Sequence, residues 1–208
     1  MNQSKTSKRS ASEILSGGLK SKKSKIGGHS NAPKLIKAIC LKQKPSEDDI
    51  QELFLEKYSF MGITTERAVG FFSDIEGLCY RYGGKVHVAR PMTEWLKGLQ
   101  DALQRQFPKA LINCANVNYY PKSTSGRLSR HQDDEQCHAH NNIYSVSFGA
   151  RNSMNFYHGK HGRAYNKLLL EDGDVLVFDR MIWHGIGTNK SLKNDWRLNV
   201  TFRMFKTI

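Results

Sequence analysis

Three polar positions in the second half of the chain have the types and spacing of a metal site. His131 and Asp133 are two residues apart, and in an extended strand such residues project from the same face, so both can reach one ion. His184, within Trp183-His184-Gly185, is the third candidate. Two histidines and one carboxylate suit a divalent first-row metal such as Fe(II), with the remaining octahedral positions open to a bidentate cosubstrate and dioxygen.

The run Arg197-Leu198-Asn199-Val200-Thr201-Phe202-Arg203 follows closely. On a strand Arg197, Asn199, Thr201 and Arg203 share one face, and Leu198, Val200 and Phe202 share the other. One face is a ladder of polar groups and the other is core. Two arginines on one strand face repel unless they are solvated or given anions. A dicarboxylate supplies two carboxylates suited to charge-assisted guanidinium contacts. A merely solvated basic strand would not need Asn199 and Thr201 between its arginines.

The elements that must position these residues are legible as a change of period near Pro108. Before it the pattern is helical. Ser46 can cap a helix over Ser46–Tyr58, with Asp49 as its capping-box-like partner and Ile50, Leu53 and Phe54 on one face. Trp95, Leu96, Leu99, Ala102 and Leu103 mark a second helix. After Pro108 the pattern alternates: Tyr144, Val146 and Phe148; Met154, Phe156 and His158; Leu168–Leu170 and Val175–Phe178 around the turn at residues 171–174; and Leu198–Phe205. Helices followed by a run of antiparallel strands predict an α+β, mainly β fold, a β-sandwich or jelly roll with the N-terminal helices packed on one sheet.

The chain has 208 residues, of which 38% are hydrophobic, and this suits one globular domain. Its formal net charge is +13, from 32 Lys and Arg against 19 Asp and Glu. Residues 1–44 hold eleven basic residues and one acidic residue, Glu13, so +10 lies in this arm and +3 in the rest. The arm is rich in Ser, Lys and Gly and lacks a hydrophobic face, so its first 30 or so residues are expected to be disordered, with the fold beginning near Pro45. Lys20, Lys22, Lys23 and Lys25 suit a nuclear-import signal or a phosphate-binding tether. No apolar run approaches the roughly eighteen residues of a membrane span, and no secretory signal opens the chain. Cys40, Cys79, Cys114 and Cys137 form no Cys-x-x-Cys pair, as expected of reduced thiols in a nuclear or cytoplasmic protein that is not secreted.

His131-x-Asp133, His184 and Arg197-x-Asn199-x-Thr201-Phe202-Arg203, in this order and spacing, resemble the AlkB family of iron- and 2-oxoglutarate-dependent nucleic-acid dealkylases. His131-Gln132-Asp133-Asp134-Glu135 and Ser145-Val146-Ser147-Phe148-Gly149-Ala150 resemble its DNA-repair branch. The likeness covers a core of about residues 111–207 within a domain of residues 45–208. It implies a double-stranded β-helix in which His131, Asp133 and His184 hold Fe(II), with 2-oxoglutarate as cosubstrate and dioxygen as oxidant. It implies that Asn118 and Tyr120 help bind 2-oxoglutarate and that Arg197, Asn199, Thr201 and Arg203 form the cosubstrate strand, with Arg197 for the distal carboxylate and Arg203 nearer the metal. By the same likeness Asp134 is directed at the damaged base, and Tyr80 and Tyr82 are candidates for the aromatic wall of a flipped-base pocket.

The expected activity is oxidative demethylation of N-alkylated bases in DNA or RNA by a monomeric enzyme without membrane association. Two other readings compete. One keeps the iron site and hydroxylates a protein or small molecule; the other is an inactive nucleic-acid-binding domain. Phe71-Phe72 is either a wedge for a base stack or core. Cys137, His138 and His140 near the triad invite a second metal site, which the expected chemistry does not need.

Overall fold

Alternation of apolar and polar residues dominates the chain, and its computed structural model, in which residues 33–36, 44–60, 63–82, 85–122, 124, 126–135, 139–188 and 195–206 are described, is built mainly of strands. In chain order these are β1 (Lys34–Ile36), α1 (Glu47–Glu52), β2 (Glu56–Phe60), β3 (Ile63–Ser73), β4 (Cys79–Tyr82), β5 (Lys85–Val88), β6 (Arg90–Pro91), α2 (Glu94–Gln106), β7 (Cys114–Tyr120), β8 (Leu128–His131), β9 (Asn142–Gly149), β10 (Asn152–Tyr157), β11 (Ala164–Leu170), β12 (Val175–Asp179), β13 (Trp183–Ile186) and β14 (Arg197–Arg203). No helix among the described residues is long and apolar enough to cross a membrane.

The strands form a large sheet ordered β1-β12-β9-β14-β7-β3-β2, with β6 paired to β3, a four-stranded sheet ordered β11-β10-β13-β8, and the β4–β5 hairpin. Ile143, Leu176 and Phe178 of the large sheet pack with Met154, Phe156, Leu170 and Ile186 of the small one, closing the two sheets into the jelly-roll core. On the other face of the large sheet, Val117, Val146, Phe148, Leu198, Val200 and Phe202 pack under Trp95, Leu96, Leu99 and Leu103 of α2. The alternation of β14 thus separates an apolar face under the helix from a polar face toward the small sheet. Thr93 caps α2 by accepting from the Leu96 amide.

The first helix is shorter than the expected Ser46–Tyr58. Ser46 caps it as predicted, with the reciprocal Asp49 bond, but helix ends at Glu52 and the chain from Glu56 to Phe60 is strand. None of the six helical residues is buried, so no packed stripe extends the helix. Phe54 turns the chain with a left-handed φ of 43°, and its carbonyl accepts from Arg90. Pairing with β3 then satisfies the backbone in place of further helical turns. Of the two readings of Phe71-Phe72, core holds, since they are 6% and 2% exposed. Ordered chain also starts upstream of Pro45, because Lys34–Ile36 pairs with β12. The lysine cluster at residues 20–25 lies outside the described residues, as do Cys137 and His138.

Leu96 has no exposed surface beneath the sheet. Leu96→Ala is expected to cost about 2–5 kcal/mol, read as a lower urea midpoint at unchanged slope. Lys97→Ala, which removes only an exposed contact to Glu94, should shift stability by less than about 0.5 kcal/mol.

Candidate metal centre

β8 and β13 are neighbours in the small sheet, and their register sets His131 opposite His184. The two imidazoles are 4.3 Å apart between centroids. Gly185 permits this approach, since a Cβ there would lie only 3.1–3.2 Å from the backbone of Leu128 and Arg130. Asp133 is not on the strand. It lies in the loop just after β8, where its amide donates to the Arg180 carbonyl and its side chain turns back beneath the histidines. The three residues can each offer one ligand atom within 4.8 Å of the others.

The donor set fits a divalent metal. His131 Nδ1 is 2.8 Å from the Ser129 carbonyl oxygen and His184 Nδ1 is 2.9 Å from that of Ile182. A carbonyl only accepts, so each Nδ1 carries the hydrogen and each Nε2 keeps its lone pair. The Nε2 atoms lie 3.7 and 3.9 Å from the Asp133 oxygens, too far for hydrogen bonds and close enough to share an ion. Burial lowers the His184 pKa to about 4, with His131 acting in the same direction and Asp133 opposing, so the imidazole is neutral at physiological pH.

Asp133 is 5% exposed, and Arg203 Nη2 meets its Oδ1 at 3.1 Å. Arg203 also contacts Glu135 at 3.4 Å. Burial alone would lower the Arg203 pKa, but the two carboxylates outweigh it and leave the pKa raised. Its Nε is buried without a hydrogen-bond partner, so one donor of this guanidinium remains for an anionic ligand.

The cosubstrate candidates lie on the polar face of the large sheet. The register of β14 with β7 places Arg197 opposite Tyr120, Asn199 opposite Asn118 and Thr201 opposite Asn116. Asn118 and Arg203 line a cleft of about 420 Å³ together with His131 and Asp133. Arg197, Asn199, Thr201 and Tyr120 are not among its lining residues. Arg197 is 1% exposed and donates to the Ala150 carbonyl and the Ser147 hydroxyl. Burial lowers its pKa to about 10, against the opposing influence of Tyr120 and Asp174. A guanidinium so buried, bonded to neutral oxygens, is poised to take a carboxylate. Asn199 donates to the Ser145 hydroxyl and the Val146 carbonyl, and Thr201 donates to the Asn116 carbonyl.

Across the cleft, the β4–β5 hairpin turns Tyr80, Tyr82 and His87 toward the metal side. Tyr80 stacks on His87 at 5.2 Å and Tyr82 at 6.3 Å, and is backed edge-on by Phe71. Burial pushes the Tyr80 phenol up, so it stays un-ionised. Beside the metal-site Asp133, Glu135 lines this cleft, whereas Asp134 is exposed and outside it. Arg67, also in the cleft, gave no motif signal because β3 follows no strict alternation.

The sequence profile of the 2OG-Fe(II) oxygenase superfamily matches residues 40–203. The alpha-ketoglutarate-dependent dioxygenase AlkB of Salmonella typhimurium is 27% identical over 154 residues, covering 69% of this chain and 70% of that protein. The Escherichia coli protein of the same name is 36% identical over 104 residues, covering 47% of each. The solved structure of OsALKBH1 superposes with a TM-score of 0.55 at 21% identity, covering 86% of this chain and 100% of that one, and so shares the fold.

The buried, neutral His184 links metal-free stability to pH. An imidazole held at about 4 in the folded state, against 6.5 when unfolded, contributes fully above about pH 6.5, and this contribution is lost as pH falls through about 4. Chelator-stripped protein is expected to lose stability over this window, on the order of 3 kcal/mol. His184→Gln should flatten the profile of Tm against pH; parallel profiles for the two proteins would contradict this account.

Proposed function

Because this chain belongs to the 2OG-Fe(II) oxygenase superfamily, as an AlkB-family dioxygenase that uses Fe(II), 2-oxoglutarate and dioxygen, we propose that it demethylates N-alkylated bases of DNA or RNA. The observation that carries this reading is the composition of the cleft opposite the triad. A stacked pair of tyrosines with His87 forms one wall, and Glu135 faces the same space. An aromatic wall holds the face of an unstacked base and a carboxylate accepts from its edge, the pairing an extruded base requires. The volume lies within the range of small-ligand sites, about 300–1,000 Å³.

Bound together, Fe(II), 2-oxoglutarate and dioxygen supply a two-electron oxidation: one oxygen atom leaves in succinate with release of carbon dioxide, and the other hydroxylates the N-linked carbon, which departs as formaldehyde. The chain's own task is placement. His131, Asp133 and His184 hold the metal, and Arg203 fixes the Asp133 carboxylate from behind. Arg197, with Tyr120 beside it, is assigned to the distal carboxylate of 2-oxoglutarate. Asn118 and the unpartnered Nε of Arg203 are assigned to its metal-proximal end, while Asn199 and Thr201 brace the strand. Tyr80 and Tyr82 keep water from the base, and the un-ionised Tyr80 phenol adds no charge beside it.

The basic arm supports the nucleic-acid reading and a nuclear site of action. Residues 1–30 carry seven basic residues and one acidic residue, so their removal, which spares β1, should reduce the salt dependence of nucleic-acid binding.

With Fe(II) and 2-oxoglutarate, the full chain is expected to convert N-methylated oligonucleotides to unmodified ones with stoichiometric succinate, followed by mass spectrometry on matched DNA and RNA. His131→Ala and Asp133→Ala should each lower turnover at least about 100-fold. Full turnover in an iron-loaded Asp133→Ala variant overturns the triad; succinate formed without any change in the oligonucleotides overturns the substrate.

A further inference from the structure

We propose that Arg67 is a positioning residue for the 2-oxoglutarate site, where its guanidinium decides which end of the Asn118 amide meets the cosubstrate. The proposal rests on the reading of Asn118 as a cosubstrate residue. Arg67 stands on β3 and Asn118 on the neighbouring β7, and both line the cleft with His131, Asp133 and Arg203. Arg67 Nη1 donates to Asn118 Oδ1 at 3.1 Å.

An arginine has five N–H donors and no acceptor. Only the oxygen end of the Asn118 amide can therefore face it, and the NH₂ end is turned elsewhere. Without such a partner the two ends are nearly equal in shape and exchange by rotation about the last side-chain bond. The amide opposite it in the register, Asn199, is pinned in the reverse sense, with its Nδ2 hydrogens donated to Ser145 and Val146. Asn199 does not line the cleft, so Asn118 is the amide of the pair that meets a ligand there, and it offers donors from which a carboxylate accepts. Arg67 therefore makes the β7 side of the bed selective for an anion, and its loss lets the Asn118 oxygen turn toward the carboxylate.

The test is a double-mutant cycle on Mn(II)-loaded full-length protein, with calorimetric titration of 2-oxoglutarate. Arg67→Met should raise Kd about tenfold, the scale of one lost hydrogen bond to a charged group. Arg67→Lys, which keeps a donor, should stay within about threefold of wild type. In Fe(II)-loaded enzyme KM for 2-oxoglutarate should follow Kd while kcat changes by less than about twofold. Because Arg67 acts through Asn118, the double variant Arg67→Met/Asn118→Ala should bind like Asn118→Ala alone. A lowered Tm with unchanged Kd for Arg67→Met makes Arg67 merely structural and overturns the proposal, as does a double variant in which the two losses multiply. If Asn118→Ala binds as tightly as wild type, the cosubstrate reading of Asn118 itself fails, a result distinct from a silent Arg67→Met beside a weakened Asn118→Ala.

Discussion

Arg203 ends β14 with its guanidinium 3.1 Å from the Asp133 carboxylate, and both groups are nearly excluded from water. Either charge alone would be costly in that environment, so each requires the other. Asp133 belongs to no strand ladder; its place comes from this ion pair and from its amide bond to Arg180. The pair therefore does what secondary structure does for His131 and His184, and ties the only anionic member of the triad to the last strand. Glu135 draws on the same guanidinium, so a metal ligand and a carboxylate of the cleft share one cation.

The large sheet keeps stability and chemistry on opposite faces. Leu198, Val200 and Phe202 are covered by α2, while Arg197, Asn199, Thr201 and Arg203 of the same strand look toward the small sheet. Neighbours in register continue the division, with Ser145 and Ser147 on one side and Asn116, Asn118 and Tyr120 on the other. A shift of one residue would bury the arginines under the helix and open the core to the cleft. The helix thus holds register as well as contributing burial, because its side chains recognise only one of the two faces.

Much of this was legible wherever a period ran long enough. The stripe of α2 and the alternation of β14 follow from side-chain direction along regular backbone, whereas Asp133 joins His131 from a loop. Legibility failed where tertiary contacts decide. The switch from α1 to β2 depends on Arg90, 36 residues from Phe54, and on pairing with β3. Lys34–Ile36 looked like part of a polar arm because three residues carry no period of their own. Asp134, to which the family likeness points, is exposed and lies outside the cleft that Glu135 lines. Arg67 meets Asn118 across 51 residues of sequence.

The three residues of β1 lie along β12 with Lys34 beside Val177, Leu35 beside Leu176 and Ile36 beside Val175. β12 is an apolar strand of Val, Leu, Val and Phe before Asp179. Left uncovered, its row of unpaired amides and carbonyls would be a template on which a second chain could add a strand. A tripeptide at the head of the fold therefore acts as a guard against self-association, and proteolysis just after it would yield a species prone to aggregate while its distant triad remained chemically intact.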